Sequence, residues 1–140
     1  SSSIPAADAN HIRMAAACGR RAVEMVNDDL RPSSILTRAS FDNALNVAMA
    51  MGCSTNAIIH LIALSRRAGF PLTLDDFHAA GHRVPVLANI RPSGERYLME
   101  DFFYAGGLKA LMAQMGDLLD GTAATVTGQS LRAEIAGAET

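Results

Sequence analysis

The stretch Met51-Gly52-Cys53-Ser54-Thr55-Asn56-Ala57-Ile58-Ile59-His60-Leu61 decides how this chain is read, because it sets a tight polar turn directly against a strongly apolar helix. Gly52 supplies the backbone freedom to turn, and Ser54 or Asn56 is placed to cap the helix. The first turn of an α-helix carries N–H groups with no intrahelical acceptor, so such a start suits a carboxylate or phosphate. A cap on a core helix with no ligand explains the same residues, and caps outnumber anion sites. Downstream, Ile58, Ile59, Leu61, Ile62 and Leu64 cover most of the helix circumference. That distribution predicts a buried helix.

On the N-terminal side, Ile12, Ala16, Gly19, Val23 and Val26 recur at three- and four-residue steps, describing one face of an amphipathic helix from Asp8 to about Asn27. Arg13, Arg20, Arg21 and Glu24 then fall mostly toward water. Arg31-Pro32-Ser33-Ser34 breaks the chain, and Thr37 caps a second helix whose apolar face is Phe41, Ala44, Leu45, Ala48 and Gly52. The helix after the polar turn stops at Arg66-Arg67-Ala68-Gly69, where cations and a glycine are the expected end signals. Thr73 followed by Asp76 has the form of a capping box opening a short helix to about Gly81.

Val84-Pro85-Val86-Leu87-Ala88-Asn89-Ile90 is the best strand candidate, its early proline suiting an edge, and Arg91-Pro92-Ser93-Gly94 is a loop. Short helices over Leu98 to Tyr104 and Leu108 to Met115 follow, then a second possible strand at Ala124-Thr125-Val126 and a last short helix. The expected picture is predominantly α-helical, five or six helices with one or two short strands, and without repeats.

At 140 residues, 49% of them hydrophobic, the chain has the size and apolar content of one domain or part of one. A net charge of -2 gives no electrostatic case for nucleic acid or an anionic membrane. Cys18 and Cys53 stand far apart with no CxxC pair, which indicates neither a disulfide framework nor a zinc site and fits a cytoplasmic setting. No run of 18 apolar residues or signal-peptide pattern occurs. Ser1-Ser2-Ser3 at the start and Gly137-Ala138-Glu139-Thr140 at the end suggest a fragment of something longer.

Ala48, Gly52 and Ile58 have helix-turn-helix spacing, but the following helix offers Ile59, His60, Leu61 and Ile62 where a recognition helix needs polar side chains for base edges. His78 and His82 are four apart on a predicted helix after Asp75 and Asp76, a spacing that can share a metal, yet Ala79 stands where a metalloprotease has its glutamate and no third ligand is evident. The pair reads as an exposed helical face, and His11 and His60 read as makers of local hydrogen bonds. Gly106-Gly107 lacks the further glycines and lysine of a phosphate loop. In Tyr97-Leu98-Met99-Glu100-Asp101-Phe102, one of the two acids can cap or charge a helix start, as readily as serve a metal or a proton transfer.

Seven short segments in order resemble the dihydroxy-acid and phosphogluconate dehydratase family of iron-sulphur lyases. They are Gly52-Cys53-Ser54-Thr55-Asn56-Ala57 with His60-Leu61, Leu74-Asp75-Asp76-Phe77, Val84-Pro85-Val86-Leu87-Ala88-Asn89, Pro92-Ser93-Gly94, Met99-Glu100-Asp101, Ala105-Gly106-Gly107-Leu108 and Thr125-Val126-Thr127-Gly128. Cys53 and the run from Met99 to Gly107 look like the sugar-acid branch, such as arabinonate or xylonate dehydratases.

The resemblance implies an α/β family fold and dehydration of a 2,3-dihydroxy acid to a 2-keto-3-deoxy acid. In the family a 2Fe-2S cluster takes the departing 3-hydroxyl, Mg²⁺ holds the substrate carboxylate and 2-hydroxyl, and a serine takes the C2 proton. The cluster cysteines and that serine match no position here, so the catalytic and metal-ligand sets of this chain are expected to be empty. Residues 1–126 would belong to the cluster-bearing N-terminal domain and residues 127–140 to the start of its junction with a second domain. Ser54, Thr55, Asn56, Ser93 and Glu100 are the candidate substrate-binding or active-site-proximal residues. The family's homo-oligomers imply subunit contacts. The alternative from another class is an independent helical protein-interaction domain, built on methionine- and alanine-rich faces.

Overall fold

Local hydrogen bonds decide where the helices begin. The Asp8 carboxylate accepts from Asn10 N–H at 2.8 Å and starts α1 (Ala9–Asn27). Pro32 opens the single turn α2 (Pro32–Ile35). Thr37 and Ser40 exchange side-chain-to-backbone bonds to start α3 (Arg38–Met51), and Thr73 and Asp76 do the same for α5 (Leu74–Arg83). Between them lies α4 (Thr55–Arg67), and α6 (Met99–Tyr104), α7 (Gly107–Met115), a 3-10 turn (Gly116–Leu118) and α8 (Leu131–Ile135) complete the chain. The computed structural model describes residues 3–138; Ser1, Ser2, Glu139 and Thr140, read above as the chain's suggestive ends, lie outside the described residues.

The fold is predominantly helical, as the sequence predicts. Neither strand candidate becomes a strand. Ile90 pairs with Tyr97 and Ala124 with Ser130 as isolated bridges, because the amides of Leu87 and Ala88 are drawn instead to the Ala50 carbonyl at 2.8 and 3.2 Å.

The buried helix is α3, not α4. Phe41, Leu45, Ala48 and Ala50 are buried on α3, and two apolar clusters meet along it. On one side Phe41 and Leu45 pack with Leu72, Phe77 and Ala80, together with Ile58, Leu61 and Ile62 of α4. On the other, Ala50 packs with Val84, Leu111, Met115 and Leu119. Each large side chain so enclosed contributes about 1.5–3 kcal/mol of transfer free energy. Ile59 and Leu64 of α4 remain 58% and 57% exposed, because α4 meets α3 through one face and no described element covers the other.

α1 likewise has no buried residue, and Ile12, Val23 and Val26 of its apolar stripe are exposed. Arg21, expected toward water, instead donates from Nε to the Val126 carbonyl at 2.7 Å and from Nη1 to Asp28 at 2.9 Å. The bond to Asp28 comes first among the causes that raise its guanidinium pKa.

Two buried asparagines fasten α3 to the segment after α7. Asn43 donates from Nδ2 to the Asp120 carbonyl at 2.9 Å and accepts from the Asp120 amide at 2.7 Å. Asn46 donates to the Leu118 carbonyl at 2.7 Å and accepts from Arg83 at 2.9 Å. Ser65 is fully buried and accepts from Leu72 N–H at 2.9 Å, closing the turn from α4 to α5.

Replacing Asn43 with alanine strands both polar groups of the Asp120 peptide, and a loss of about 1–3 kcal/mol is expected in urea unfolding. A second test uses Asp76, whose carboxyl is held below the usual range by the Thr73 amide first, then the Thr73 hydroxyl and, more weakly, Arg38. A depressed folded-state pKa contributes stability above the unfolded value, near 4, that is lost as pH falls through the folded value. Wild type should therefore exceed Asp76→Asn in unfolding free energy at about pH 7, with the advantage shrinking as pH falls through the depressed folded-state value.

Candidate functional site

The polar turn is built on the carbonyls left without intrahelical donors at the end of α3. Gly52 takes a left-handed conformation, φ +66°, and its amide reaches the Met49 carbonyl at 3.1 Å while that of Cys53 reaches Ala48 at 3.0 Å. Ala50 receives the Leu87 and Ala88 amides, and the Ser93 hydroxyl donates to the Gly52 carbonyl. A Cβ at Gly52 would lie 3.3 Å from Ser93 Oγ, so the loop 92–94 closes directly over this glycine.

Asn89 organises that loop. Its Oδ1 accepts from the amides of Glu95 at 2.7 Å and Arg96 at 3.4 Å, and its own carbonyl accepts from Tyr97 N–H at 3.0 Å. Gly94 donates to the Ile90 carbonyl at 2.6 Å, and a Cβ there would fall 2.5 Å from the backbone of Asn89 and Ile90. No side chain fits that approach. The Arg91–Pro92 peptide is cis.

A cleft of about 480 Å³ is enclosed by Gly52, Val86, Leu87, Ala88, Asn89, Ser93 and Gly94. It shares Leu87, Ala88 and Asn89 with a cleft of about 620 Å³ bounded further on by Tyr97, Asp101 and Phe102. A further cleft, about 650 Å³, lies between α3, α5 and residues 117–120. Many of its polar groups are already paired, Arg38 with Asp42 at 2.9 Å and Asp76 at 3.7 Å, and Asn43 and Asn46 as described. The smaller pair of clefts beside the turn is the better ligand candidate.

Ser54 occupies the cap position of α4 in extended conformation, yet its side chain accepts no amide. The Ala57 amide turns back to the Ser54 carbonyl at 3.0 Å. Thr55 and Asn56 are thus left with backbone N–H groups that have no acceptor among the described residues. The side chains of Ser54, Thr55 and Asn56 are exposed; they follow Gly52 in sequence but do not line its cleft. The side chains of Asp8, Thr37 and Thr73 accept the amides of Asn10, Ser40 and Asp76 at the starts of α1, α3 and α5, so α4 differs in meeting its third amide, that of Ala57, with a backbone carbonyl instead of a side chain.

Ser93 and Gly52 are therefore brought together, whereas Glu100 is exposed on α6 and lines none of the clefts described. Its neighbour Asp101 accepts the Leu98 amide at 2.8 Å and faces the 620 Å³ cleft. Burial pushes the half-buried Cys53 thiol pKa up, which keeps it protonated at neutral pH. Asn89 is the organising residue that sequence reasoning passes over as the end of a strand; an Asn shortly before Pro and Gly is a turn signal that could have found it.

Among the described residues no three His, Cys, Asp or Glu side chains gather as a metal would need, and Cys18 lies exposed on α1 apart from Cys53. These residues do not by themselves fit an iron-sulphur cluster or a magnesium ion.

The model of the dihydroxy-acid/6-phosphogluconate dehydratase N-terminal family matches residues 1–134. The chain belongs to that family. It is 47% identical to an L-arabinonate dehydratase of Rhizobium leguminosarum over 94% of this chain and 23% of the relative. It is 54% identical to a 6-deoxy-6-sulfo-D-gluconate dehydratase of Pseudomonas putida over 92% and 22%, and 44% identical to a dihydroxy-acid dehydratase of Natronomonas pharaonis over 93% and 22%. The chain spans about a quarter of the length of these curated relatives.

Two substitutions in the loop over Gly52 should differ in size. Gly94→Ala forces backbone apart and is expected to cost about 2 kcal/mol or more, whereas Ser93→Ala removes one partly exposed hydrogen bond and should cost about 0.5–1.5 kcal/mol. Paired denaturation curves check the order.

Proposed function

We propose that this chain is part of a hydro-lyase that converts a 2,3-dihydroxy sugar acid into a 2-keto-3-deoxy acid with loss of water. The observation that supports the site is the position of the first turn of α4, whose Thr55 and Asn56 amides have no acceptor among the described residues, directly after the turn that Ser93 closes. Two convergent N–H groups at the positive end of a 13-residue helix favour a carboxylate. Thr55 and Asn56 would add a hydroxyl and an amide for the neighbouring substrate hydroxyls, and the Ser93–Gly52 contact fixes the turn that presents them.

The relatives named for arabinonate and sulfogluconate support the sugar-acid branch. The cluster and Mg²⁺ of the family supply the Lewis-acid chemistry when bound, held by residues outside this chain, and the serine base lies outside it as well. Within that larger protein residues 1–126 belong to the cluster-bearing domain and residues 127–140 begin the junction. The whole works as a cytoplasmic homo-oligomer, and the chain by itself is inactive. Exposed Ile12, Val23 and Val26 on α1 and Ile59 and Leu64 on α4 provide apolar surface for neighbouring protein. No helix among the described residues is long and apolar enough to cross a membrane. Family membership favours the hydro-lyase over a free-standing interaction domain built on methionine- and alanine-rich faces.

In the intact enzyme, Thr55→Ala and Asn56→Ala should each lower kcat/KM by about tenfold or more, equivalent to about 1.4 kcal/mol of transition-state binding, with little change in Tm. Normal kinetics with a purely thermal penalty would refute the role. Turnover of L-arabinonate should exceed that of a branched-chain 2,3-dihydroxy acid; the reverse preference would reject the branch assignment.

A further inference from the structure

We infer that His78 and His82 form a two-nitrogen chelate for a divalent late transition ion on the outer face of α5, separate from the dehydratase chemistry. The two residues sit one helical turn apart, both exposed, with their Nε2 atoms 3.3 Å from each other. The ring centroids are 4.6 Å apart at an interplanar angle of 87°, so the nitrogens lean together while the rings diverge. An ion bound at 2.0–2.1 Å from each imidazole nitrogen with a tetrahedral angle requires those nitrogens to stand about 3.3–3.4 Å apart. The free protein already holds that separation.

The contact between the two Nε2 atoms uses one shared proton. On metal binding the donor ring carries its proton on Nδ1 instead, and both Nε2 lone pairs turn to the ion, with no net charge taken from the protein. The core of α5 is made through Phe77 and Ala80, so the outer face can accept a ligand without repacking. The two imidazoles are the whole protein contribution among the described residues, and water completes the coordination. Imidazole donors select zinc, nickel or copper over magnesium or calcium. Neither histidine lines any of the three clefts described above.

The test is calorimetric titration of the full chain with Zn²⁺ alone, comparing wild type with His78→Ala, His82→Ala and the double substitution Ala79→His/His82→Ala, which keeps the histidine count but breaks the spacing. Each variant should bind at least tenfold more weakly, while His60→Ala binds as wild type does. Equal affinity in wild type and the respaced variant overturns the inference. Independently of any variant, the Cu²⁺ spin-resonance spectrum of one equivalent on wild type should show two coordinated imidazole nitrogens; coupling to only one overturns it.

Discussion

A helix that ends inside a protein leaves carbonyl groups that must find donors, and the end of α3 is where this requirement shapes the candidate site. Ala48 and Met49 are satisfied by the turn itself, but Ala50 and Gly52 are reached by Leu87, Ala88 and Ser93 from across the fold. The segment from Val86 to Gly94 is thereby pulled onto the turn, and the same act denies it a strand partner. Gly52 is left-handed because the chain must reverse there, and it cannot carry a side chain without crowding Ser93. The position of α4, and of its open first turn, follows from that reversal.

α3 can serve as this anchor because it is enclosed along both sides. Apolar packing supplies most of the enclosure, and Asn43 and Asn46 add direction, since each meets backbone groups of residues 118–120 that only one alignment satisfies. Buried amides with full partners specify register more sharply than leucines do. Arg83 joins α5 to the same point through Asn46. The turn at Gly52 is therefore held by a buried helix behind it and a hydrogen-bonded loop in front.

Helix starts were legible in the sequence because capping is local: Asp8, Thr37 and the Thr73–Asp76 pair all act within three residues of themselves. The turn at Gly52 was legible too, but the expected side-chain cap by Ser54 or Asn56 does not form, and the Ser54 carbonyl meets the Ala57 amide instead. Which helix is buried was not legible, since the backbone partners of Asn43 and Asn46 lie more than seventy residues away and make polar positions compatible with the interior. The spread of Ile58, Ile59, Leu61, Ile62 and Leu64 around α4 points to burial, but a sequence pattern cannot tell whether a neighbour exists to cover Ile59 and Leu64. The strand pattern of Val84–Ile90 misled because extended backbone can be satisfied by a helix end as well as by a sheet. Of the candidate site, Ser93 and Gly52 were joined by tertiary contact, while Glu100 yielded the local capping role to Asp101.

The central claim is that the uncapped amides of Thr55 and Asn56 receive the substrate carboxylate. It is tested most directly by a crystal structure of the intact enzyme with a bound, unreactive sugar-acid analogue. A carboxylate oxygen within about 3 Å of those two amides is the predicted result. An analogue seated elsewhere, with that helix end facing only solvent or another subunit, would contradict it.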